Sequence, residues 1–433
     1  MDKKSEKIKK KVNKKKIILS IVLAISFVLV FIGGYFSRYI LDRRSATVSS
    51  EIVNIIDKVG FVIDPETGKP IEFTEKDFAD AIINGLLDDY SSYYTKEEYK
   101  KILSESKGRY DGGGIGFYDT DLKVDKIIGN SPADLSGMKS GDEIVAGQKN
   151  GGERKEFNDV YDVLRFLNDY DDGDTITLFV NRLDIGEELN FSIKKTAFLA
   201  SYVSYYDSEN AYLFRTDAKG KLSPIEFKGK GMPELDKDTA YVLFDTFEGD
   251  AAKQLQTVLG YMQQRGRNKL ILDLRNNGGG YMNVLVDVAS LLVYNGGQNK
   301  TVVAYTQGKD GFEEFSTFKN SYCSFIKSIS VIANKNTASA SECLIGAMLY
   351  YGDGFSIDRL IVEKDESGEA RTYGKGIMQT TYRLISGGAF KLTTARVLWP
   401  DKSTCIHGKG ITPTENNSAT RENAILRAME TLS

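Results

Sequence analysis

The chain has 433 residues, of which 41% are hydrophobic and 27% are charged, so it is ordinary for a globular protein but too long for one core. We therefore expect two or three folded units. The net charge of −3 is unevenly distributed: residues 1–16 hold nine lysines, and the rest of the chain is acidic. An acidic chain is a poor binder of nucleic acid, and we expect no such partner.

Residues 17–36 form an uncharged apolar run directly after the lysines. Twenty helical residues span about 30 Å, the thickness of a hydrocarbon core. Because positive charge stays in the cytoplasm, we predict a cytoplasmic tail at 1–16, a single-pass anchor in the cell membrane at 17–36, and an extracytoplasmic remainder. A cleaved signal peptide is the alternative, but its apolar region is usually shorter and no clear A-x-A cleavage site is present.

Residues 37–107 are predicted to be a charged stalk followed by a helical segment. Apolar residues recur at helical spacing over 78–87, and Thr95 with Glu98 fits a capping box. These helices would suit either a homodimer interface or a cap on the next domain.

Residues 108–197 differ in pattern and are predicted to be a β domain. A glycine-rich loop at 112–117 leads into short strand-like runs. Asn158 is predicted to cap a helix over 159–167. β-branched and aromatic residues then mark strands at 175–180 and 189–193.

Residues 198–433 are predicted to be a mixed α/β core. The first part, 198–236, shows no pattern that assigns an element. From residue 239 strands and helices alternate, which favours a partly parallel sheet covered by helices. The predicted strands are 240–244, 270–274, 301–305 and 329–333, and the predicted helices are one capped by Asp250 and one over 282–293.

Ser339 and Ser341 lie among small residues between a predicted strand and a predicted helix. A serine at a helix N-terminus faces free N–H groups and the positive end of the helix dipole, where an oxyanion is stabilised. Ser339 with Glu342 also fits an ordinary capping box, which is the commoner role.

A nucleophilic serine needs a base, and the sequence offers two. His407 is the only histidine, in a glycine-rich turn. Lys375 follows a glycine, and Gln379 lies four residues later, on the same face if the segment is a strand. Burial would lower the lysine pKa towards about 7–8, where the amine accepts a proton.

The segment 272–280 ends a predicted buried strand in polar residues and three glycines. Backbone N–H groups at such a turn can bind an oxyanion, although most such turns only connect a strand to a helix.

Together, these motifs resemble those of the C-terminal processing peptidases, or tail-specific proteases. That family shows a D-L-R-N-N-P-G-G turn, a S-A-S-A-S-E-like segment and F-G-K-G-x-x-Q, matched here by 273–280, 338–342 and 373–379. Residues 89–93, 131–133 and 140–142 resemble its motifs before and within the PDZ domain. The resemblance covers nearly the whole chain.

The resemblance implies a PDZ-like domain at 108–197 and a crotonase-like protease core at 198–433. It makes Ser339 the nucleophile, with Ser341 as the second choice, Lys375 the general base and Gln379 its orienting partner. The oxyanion donors would be Ala340 with Gly279 or Gly280. The PDZ carboxylate-binding loop would comprise Gly114, Ile115, Gly116 and Phe117.

Three features depart from the family, and the first is that residues 198–236 have no counterpart in it. Gly278 replaces the usual proline, and Ser339 lies 36 residues before Lys375, a longer separation than usual. The extra residues fall in 350–372, which we expect to be a loop.

We therefore expect an anchored serine endopeptidase that cleaves polypeptides with free C-termini near those ends. Two alternatives remain: an inactive protease-like PDZ scaffold, and a crotonase-like enzyme acting on acyl thioesters. No metal or cofactor is expected, since Cys323, Cys343, Cys405 and His407 are too few for a usual zinc site. One disulfide is conceivable among the three cysteines, but a disulfide framework is excluded.

Overall fold

The computed structural model describes residues 74–432 apart from 111–116, 121, 172, 183–184, 210, 217–220, 227–233, 295–299, 318–321 and 353. The predicted tail at 1–16 and anchor at 17–36 lie outside these residues. Of the helices described, none has the length and apolar character needed to cross a membrane.

The chain divides into two compact units, of which the first ends at Leu87. Its described part is helix α1 (Glu75–Leu86). The helix begins with a capping box, because the Thr74 amide donates to the Asp77 carboxylate at 2.7 Å and the Asp77 amide donates to the Thr74 hydroxyl at 3.3 Å.

The second unit, Asp88–Ser433, begins with a short strand and a helix. These are β1 (Ser92–Tyr94) and α2 (Lys96–Glu105). The predicted capping box of α2 is confirmed: the Thr95 amide donates to the Glu98 carboxylate at 2.8 Å, and the Glu98 amide returns a bond to the Thr95 hydroxyl at 3.3 Å. The expectation of helix is wrong at β1, because these residues pair with a strand close to the end of the chain.

Residues 117–194 contain an antiparallel sheet in the order β3-β4-β5-β7-β8, with β6 on β5. Its elements are β3 (Phe117–Thr120), β4 (Lys123–Ile127), α3 (Pro132–Ser136), β5 (Glu143–Lys149), β6 (Arg154–Glu156), α4 (Val160–Asn168), β7 (Thr175–Arg182) and β8 (Glu187–Lys194). The two predicted strands are confirmed as β7 and β8. The cap of α4 is Asp159 rather than Asn158, because the Asp159 carboxylate accepts the Asp162 amide at 2.9 Å.

The entry and exit of this segment lie side by side. Strand β2 (Arg109–Tyr110) pairs antiparallel with β9 (Phe198–Leu199). The rings of Tyr110 and Phe198 stack with their centroids 4.6 Å apart. The predicted domain boundaries at 107/108 and 197/198 stay predictions, but both fall beside this pair.

The largest described sheet has eight strands in the order β12-β11-β10-β13-β14-β17-β18-β21. From β13 to β21 the strands run parallel, whereas β10, β11 and β12 add antiparallel at one edge. The strands are β10 (Val203–Asp207), β11 (Ala211–Thr216), β12 (Leu222–Glu226), β13 (Thr239–Phe244), β14 (Lys269–Asp273), β17 (Ser328–Ala333), β18 (Leu360–Glu363) and β21 (Ser418–Ala419). The predicted mixed α/β core is thus confirmed.

Two sequence expectations need correction here. The unassigned stretch 198–236 supplies strands β9 to β12. The expected loop at 350–372 contains β18, whose Leu360, Ile361 and Val362 are fully buried in the parallel sheet. Only four residues long, this strand is too short to show a period of its own.

Helices cover both faces of the sheet, because successive strand residues point to opposite sides. Leu270 and Leu272 belong to the larger core with α5, α6 and α7, whereas Ile271 belongs to the smaller core with α8. The helices are α5 (Ala251–Gln264), α6 (Met282–Leu292), α7 (Ala340–Tyr351) and α8 (Ala424–Glu430).

A third sheet carries the remaining strands, in the order β1-β20-β15-β16 with β19 also on β20. These are β15 (Thr301–Gly308), β16 (Gly311–Thr317), β19 (Ile377–Arg383) and β20 (Ala389–Leu398). The hairpin β19–β20 follows Lys375 directly, so it positions the predicted base.

Candidate active site

Ser339 lies at the N-terminus of α7 in a strained conformation. Its φ of 57° and ψ of −115° are unusual for a residue with a side chain. Such strain persists only where the surroundings hold it, and it often marks functional residues. Its amide donates to the Glu342 carboxylate at 2.9 Å, so the backbone of the serine is fixed from within the helix.

The glycine turn after β14 packs directly against this serine. A Cβ on Gly279 would lie 2.7 Å from the Ala340 amide nitrogen and 2.8 Å from the Ser339 Cβ. A Cβ on Gly280 would collide with the Phe247 carbonyl. Both glycines also have positive φ, 95° and 150° respectively. Only glycine therefore allows the turn to approach the serine so closely.

The backbone donors of this region are not equivalent. The Gly279 amide donates to the Asn277 side-chain oxygen at 3.0 Å, so it is already engaged. Within the described residues, the amides of Gly280 and Ala340 have no such acceptor and lie on either side of the Gly279–Ser339 contact. Of the predicted oxyanion donors, Gly280 and Ala340 therefore fit best.

Asn277 connects the two turns, and the sequence analysis missed it. Its buried side chain donates to the Phe244 carbonyl at 2.8 Å and accepts the Gly279 amide. Its carbonyl accepts the Ala338 amide at 3.0 Å and the Ser341 hydroxyl at 2.9 Å. Ser341 is fully buried in this arrangement, which makes it a poor nucleophile and favours Ser339.

Lys375 lies just before β19, half-buried, and not within the strand as expected. Its ammonium nitrogen is 4.9 Å from the centroid of the Tyr90 ring. Burial, and then the nearby charge of Lys391, lower the pKa of Lys375, while Asp88 opposes that shift. A lysine with a lowered pKa is what a general base requires.

Glu342 ties the serine to the lysine, and sequence reasoning saw it only as a cap. Its side chain is completely buried. Besides the Ser339 amide, it accepts the Lys375 amide at 2.9 Å, the Gly374 amide at 2.8 Å and the Thr372 hydroxyl at 2.5 Å. One carboxylate thus fixes the backbone at both proposed reactive residues.

Gln379 is one step removed from the role assigned to it. Its amide nitrogen donates to the Thr393 hydroxyl at 3.0 Å, and in the described part of the chain it makes no bond to the Lys375 amine. Thr393 in turn bonds Asp88. The register of the hairpin shifts beside Gln379, because Thr394 is an extra residue in β20, and this shift places Thr393 opposite Gln379.

One cavity of about 840 Å³ brings the predicted residues together. Ser339, Lys375, Gln379 and both glycines line it. Much of the remaining lining is apolar or aromatic: Tyr94, Ile102, Ile128, Met282, Phe315, Ile377, Met378 and Val397. A cleft of this kind can bind an extended polypeptide with its side chains in apolar contact.

The other predicted residues lie elsewhere. His407 is exposed and is absent from the described lining of the cavity, so the structure favours Lys375 over His407 as the base. Gly114, Ile115 and Gly116 of the predicted carboxylate loop lie outside the described residues. Phe117 begins β3.

Several known proteins resemble this chain in sequence or in fold. Residues 238–416 match the sequence model of peptidase family S41. A similar curated protein is the "Probable CtpA-like serine protease" of Staphylococcus aureus strain COL, 28% identical over 338 residues, which cover 77% of this chain and 58% of the relative. The protein of the same name from Staphylococcus saprophyticus is 26% identical over 364 residues, 83% of this chain and 64% of the relative.

Among solved structures, the photosystem II D1 C-terminal processing protease aligns with a TM-score of 0.49 and 20% identity, over 89% of this chain and 96% of that one. The chain spans less than two thirds of the length of the curated relatives it matches.

The proteins that these sequence matches name are serine-type peptidases. The match over residues 238–416 is to peptidase family S41, and it confirms the resemblance to the C-terminal processing peptidases found in the sequence.

Proposed function

We propose that the protein is a membrane-anchored, extracytoplasmic serine endopeptidase that cleaves polypeptides near their C-termini. Ser339 is the nucleophile and Lys375 the general base. The observation that carries this proposal is the shared cavity, in which the strained serine and the half-buried lysine are tied through one buried carboxylate, Glu342.

In the proposed reaction the neutral Lys375 amine takes the proton of the Ser339 hydroxyl as its oxygen attacks the scissile carbonyl. The Gly280 and Ala340 amides donate to the oxyanion that forms. The intermediate collapses to an acyl-enzyme, and Lys375 gives its proton to the departing amine. Lys375 then takes a proton from a water molecule, whose oxygen attacks the acyl carbon, and gives that proton to the Ser339 oxygen as the acyl group leaves as a carboxylic acid.

The turnover test uses the full chain in detergent with casein as an unfolded substrate, and fragments identified by mass spectrometry. Cleavage lost in Ser339→Ala and Lys375→Ala but kept in Ser341→Ala would support the assigned pair. Loss only in Ser341→Ala would move the nucleophile by two residues. Cleavage that survives all three substitutions would overturn the serine–lysine mechanism, and absence of cleavage by the wild type would favour the inactive scaffold.

Anchoring is tested separately in cells. Full-length protein should sediment with membranes, and added protease should degrade residues after 36 in spheroplasts without lysis. A chain lacking residues 1–36 should be soluble. Protection of the C-terminal part in intact spheroplasts would overturn the proposed topology.

A further inference from the structure

Two lysine–tyrosine pairs lie together on one wall of the catalytic cavity. The Lys375 ammonium lies over the Tyr90 ring, and the Lys391 ammonium is 5.7 Å from the centroid of the Tyr94 ring. Both lysines line the cavity with Ser339. A single short segment, 90–94, therefore contacts two cations that line the same cavity as the proposed nucleophile.

Strand pairing fixes this arrangement. Lys391 in β20 lies opposite Ser92 of β1 on one side and opposite Thr381 of β19 on the other. In the same register Tyr94 of β1 pairs with Ala389 of β20, and the Lys391 ammonium contacts the ring of this tyrosine. Because β20 is bonded on both sides here, the backbone of Lys391 is fixed, and the contact with the Tyr94 ring orients its side chain.

The charged and titratable groups around the Lys375 amine act in opposite directions. Lys391 is the like charge, which disfavours protonation, and Asp88 is the opposite charge, which favours it. The Tyr90 hydroxyl bonds that of Tyr373 at 3.2 Å. This bond and burial raise the pKa of Tyr90 to about 12, so the ring stays neutral at physiological pH. The Glu342 carboxylate is used by backbone amides and by Thr372.

We propose that Lys391 is a positioning residue for the reaction proposed above: its ammonium group, held on the Tyr94 ring, keeps the Lys375 amine in the neutral form that accepts the Ser339 proton. The charge of Asp88 has the opposite effect on the Lys375 amine and keeps it basic enough to accept a proton. A cation beside a lysine is an established means of activating that lysine.

This inference rests on the proposed function, so its test uses a readout that needs no turnover. Competitive acetylation with acetic anhydride, read by peptide mass spectrometry across pH, gives the titration midpoint of the Lys375 amine in the full chain. Lys391→Met should raise that midpoint by roughly 0.5–1 pH unit, because a like charge is removed. Asp88→Asn should lower it by a similar amount.

Two controls separate charge from folding. Lys391→Arg keeps the charge, and its Lys375 midpoint should match the wild type. Lys194→Met removes the same charge at an exposed position of β8 and should leave the Lys375 midpoint unchanged. A Lys375 midpoint that does not rise in folded Lys391→Met overturns the proposal, even if casein cleavage depends on Ser339. A raised midpoint in a chain without casein cleavage would support the inference on Lys391 and count against the proposed function.

Where the wild type does cleave, the acid limb of kcat/KM should move with the labelling midpoint. Lys391→Met should move it to higher pH and Lys391→Arg should restore it. A Lys391→Met enzyme that loses rate equally at all pH values has lost structure or binding, and this result also overturns the proposal.

Discussion

The two walls of the catalytic cavity are built in different ways. The serine wall consists of turns at the ends of parallel strands, held by buried backbone hydrogen bonds around Asn277 and Glu342. The lysine wall consists of the half-buried Lys375, the antiparallel hairpin that follows it, and the distant segment 90–94, with the exposed Asp88 beside them. The position of Ser339 is thus fixed by backbone geometry, whereas the protonation state of the Lys375 amine depends on burial and on the charges around it.

The largest effect should come from Glu342→Gln, because this carboxylate joins both walls. Each of its two oxygens accepts from two donors. Glutamine replaces one oxygen by an NH2 group, so two buried donors would lose their acceptor. We expect unfolding free energy to fall by about 2–4 kcal/mol and kcat to fall at least a hundredfold. Chemical denaturation and casein cleavage measure the two effects.

The control is Glu369→Gln, which removes an exposed ion pair to Arg371 and should change stability by less than about 1 kcal/mol. If Glu342→Gln cleaves within twofold of wild type, the two walls do not depend on this carboxylate.

Gly279→Ala should damage the serine wall alone. The added methyl group would press on Ala340 and Ser339 at a residue whose φ is 95°. We expect a loss of about 2–4 kcal/mol in stability and a loss of activity that exceeds the unfolded fraction. Gly278→Ala is the matched control, since a Cβ there meets no neighbour within 4 Å. Equal effects of the two substitutions would contradict the close approach described here.

Thr393→Val should weaken the lysine wall without touching the serine. It removes the hydroxyl that links Gln379 to Asp88. We expect kcat to fall roughly fivefold, the rate equivalent of about 1 kcal/mol. Thr394→Val, which breaks only the bond between Thr394 and Thr380, should leave kcat unchanged and serves as the comparison. A similar loss in both variants would assign the effect to the hairpin as a whole.

The smallest effect concerns stability and pH. Because burial lowers the pKa of Lys375, the unfolded chain binds the proton more tightly than the folded chain does. Stability therefore rises with pH between the lowered pKa of the folded state and the ordinary lysine pKa of about 10.4. Below this range Lys375 is charged in both states, and its burial is destabilising. Lys375→Met should accordingly melt higher than wild type at pH 7, with the difference shrinking towards pH 10. A difference in Tm that does not vary with pH would show that the lysine is not destabilised by burial.

The sequence predicted the serine wall better than the lysine wall, and the reason is local. Gly280 and Ser339 each lie within a short motif of consecutive residues, 273–280 and 338–342, so local sequence records each of them. Gln379 was assigned to the Lys375 amine because a strand alternates, but the strand begins only at Ile377, after Lys375, so its alternation does not relate the two residues. Its actual partner, Thr393, depends on a cross-strand register that no local pattern contains.

The sequence likewise predicted some strands of the core and missed others. The parallel strands β13, β14 and β17 showed as apolar runs and were found close to their predicted bounds. Strand β18 and the edge strands β10 to β12 were not predicted. Their assignment depends on tertiary pairing, because each is short or mixes polar with apolar residues.

The pairing of β1 with β20 also has a consequence for biogenesis. Ser92 bonds a strand that contains Lys391, about 300 residues later, and contacts at such separation are slow to form because a long loop must close first. The strands and helix next to Ser339, namely β13, β14, β17 and α7, are complete at Tyr351, whereas the lysine wall needs β20, which ends at Leu398. We therefore expect a chain still emerging during synthesis to form the surroundings of Ser339 before those of Lys375, so the proposed peptidase would not cut its neighbours, or itself, until β20 has formed.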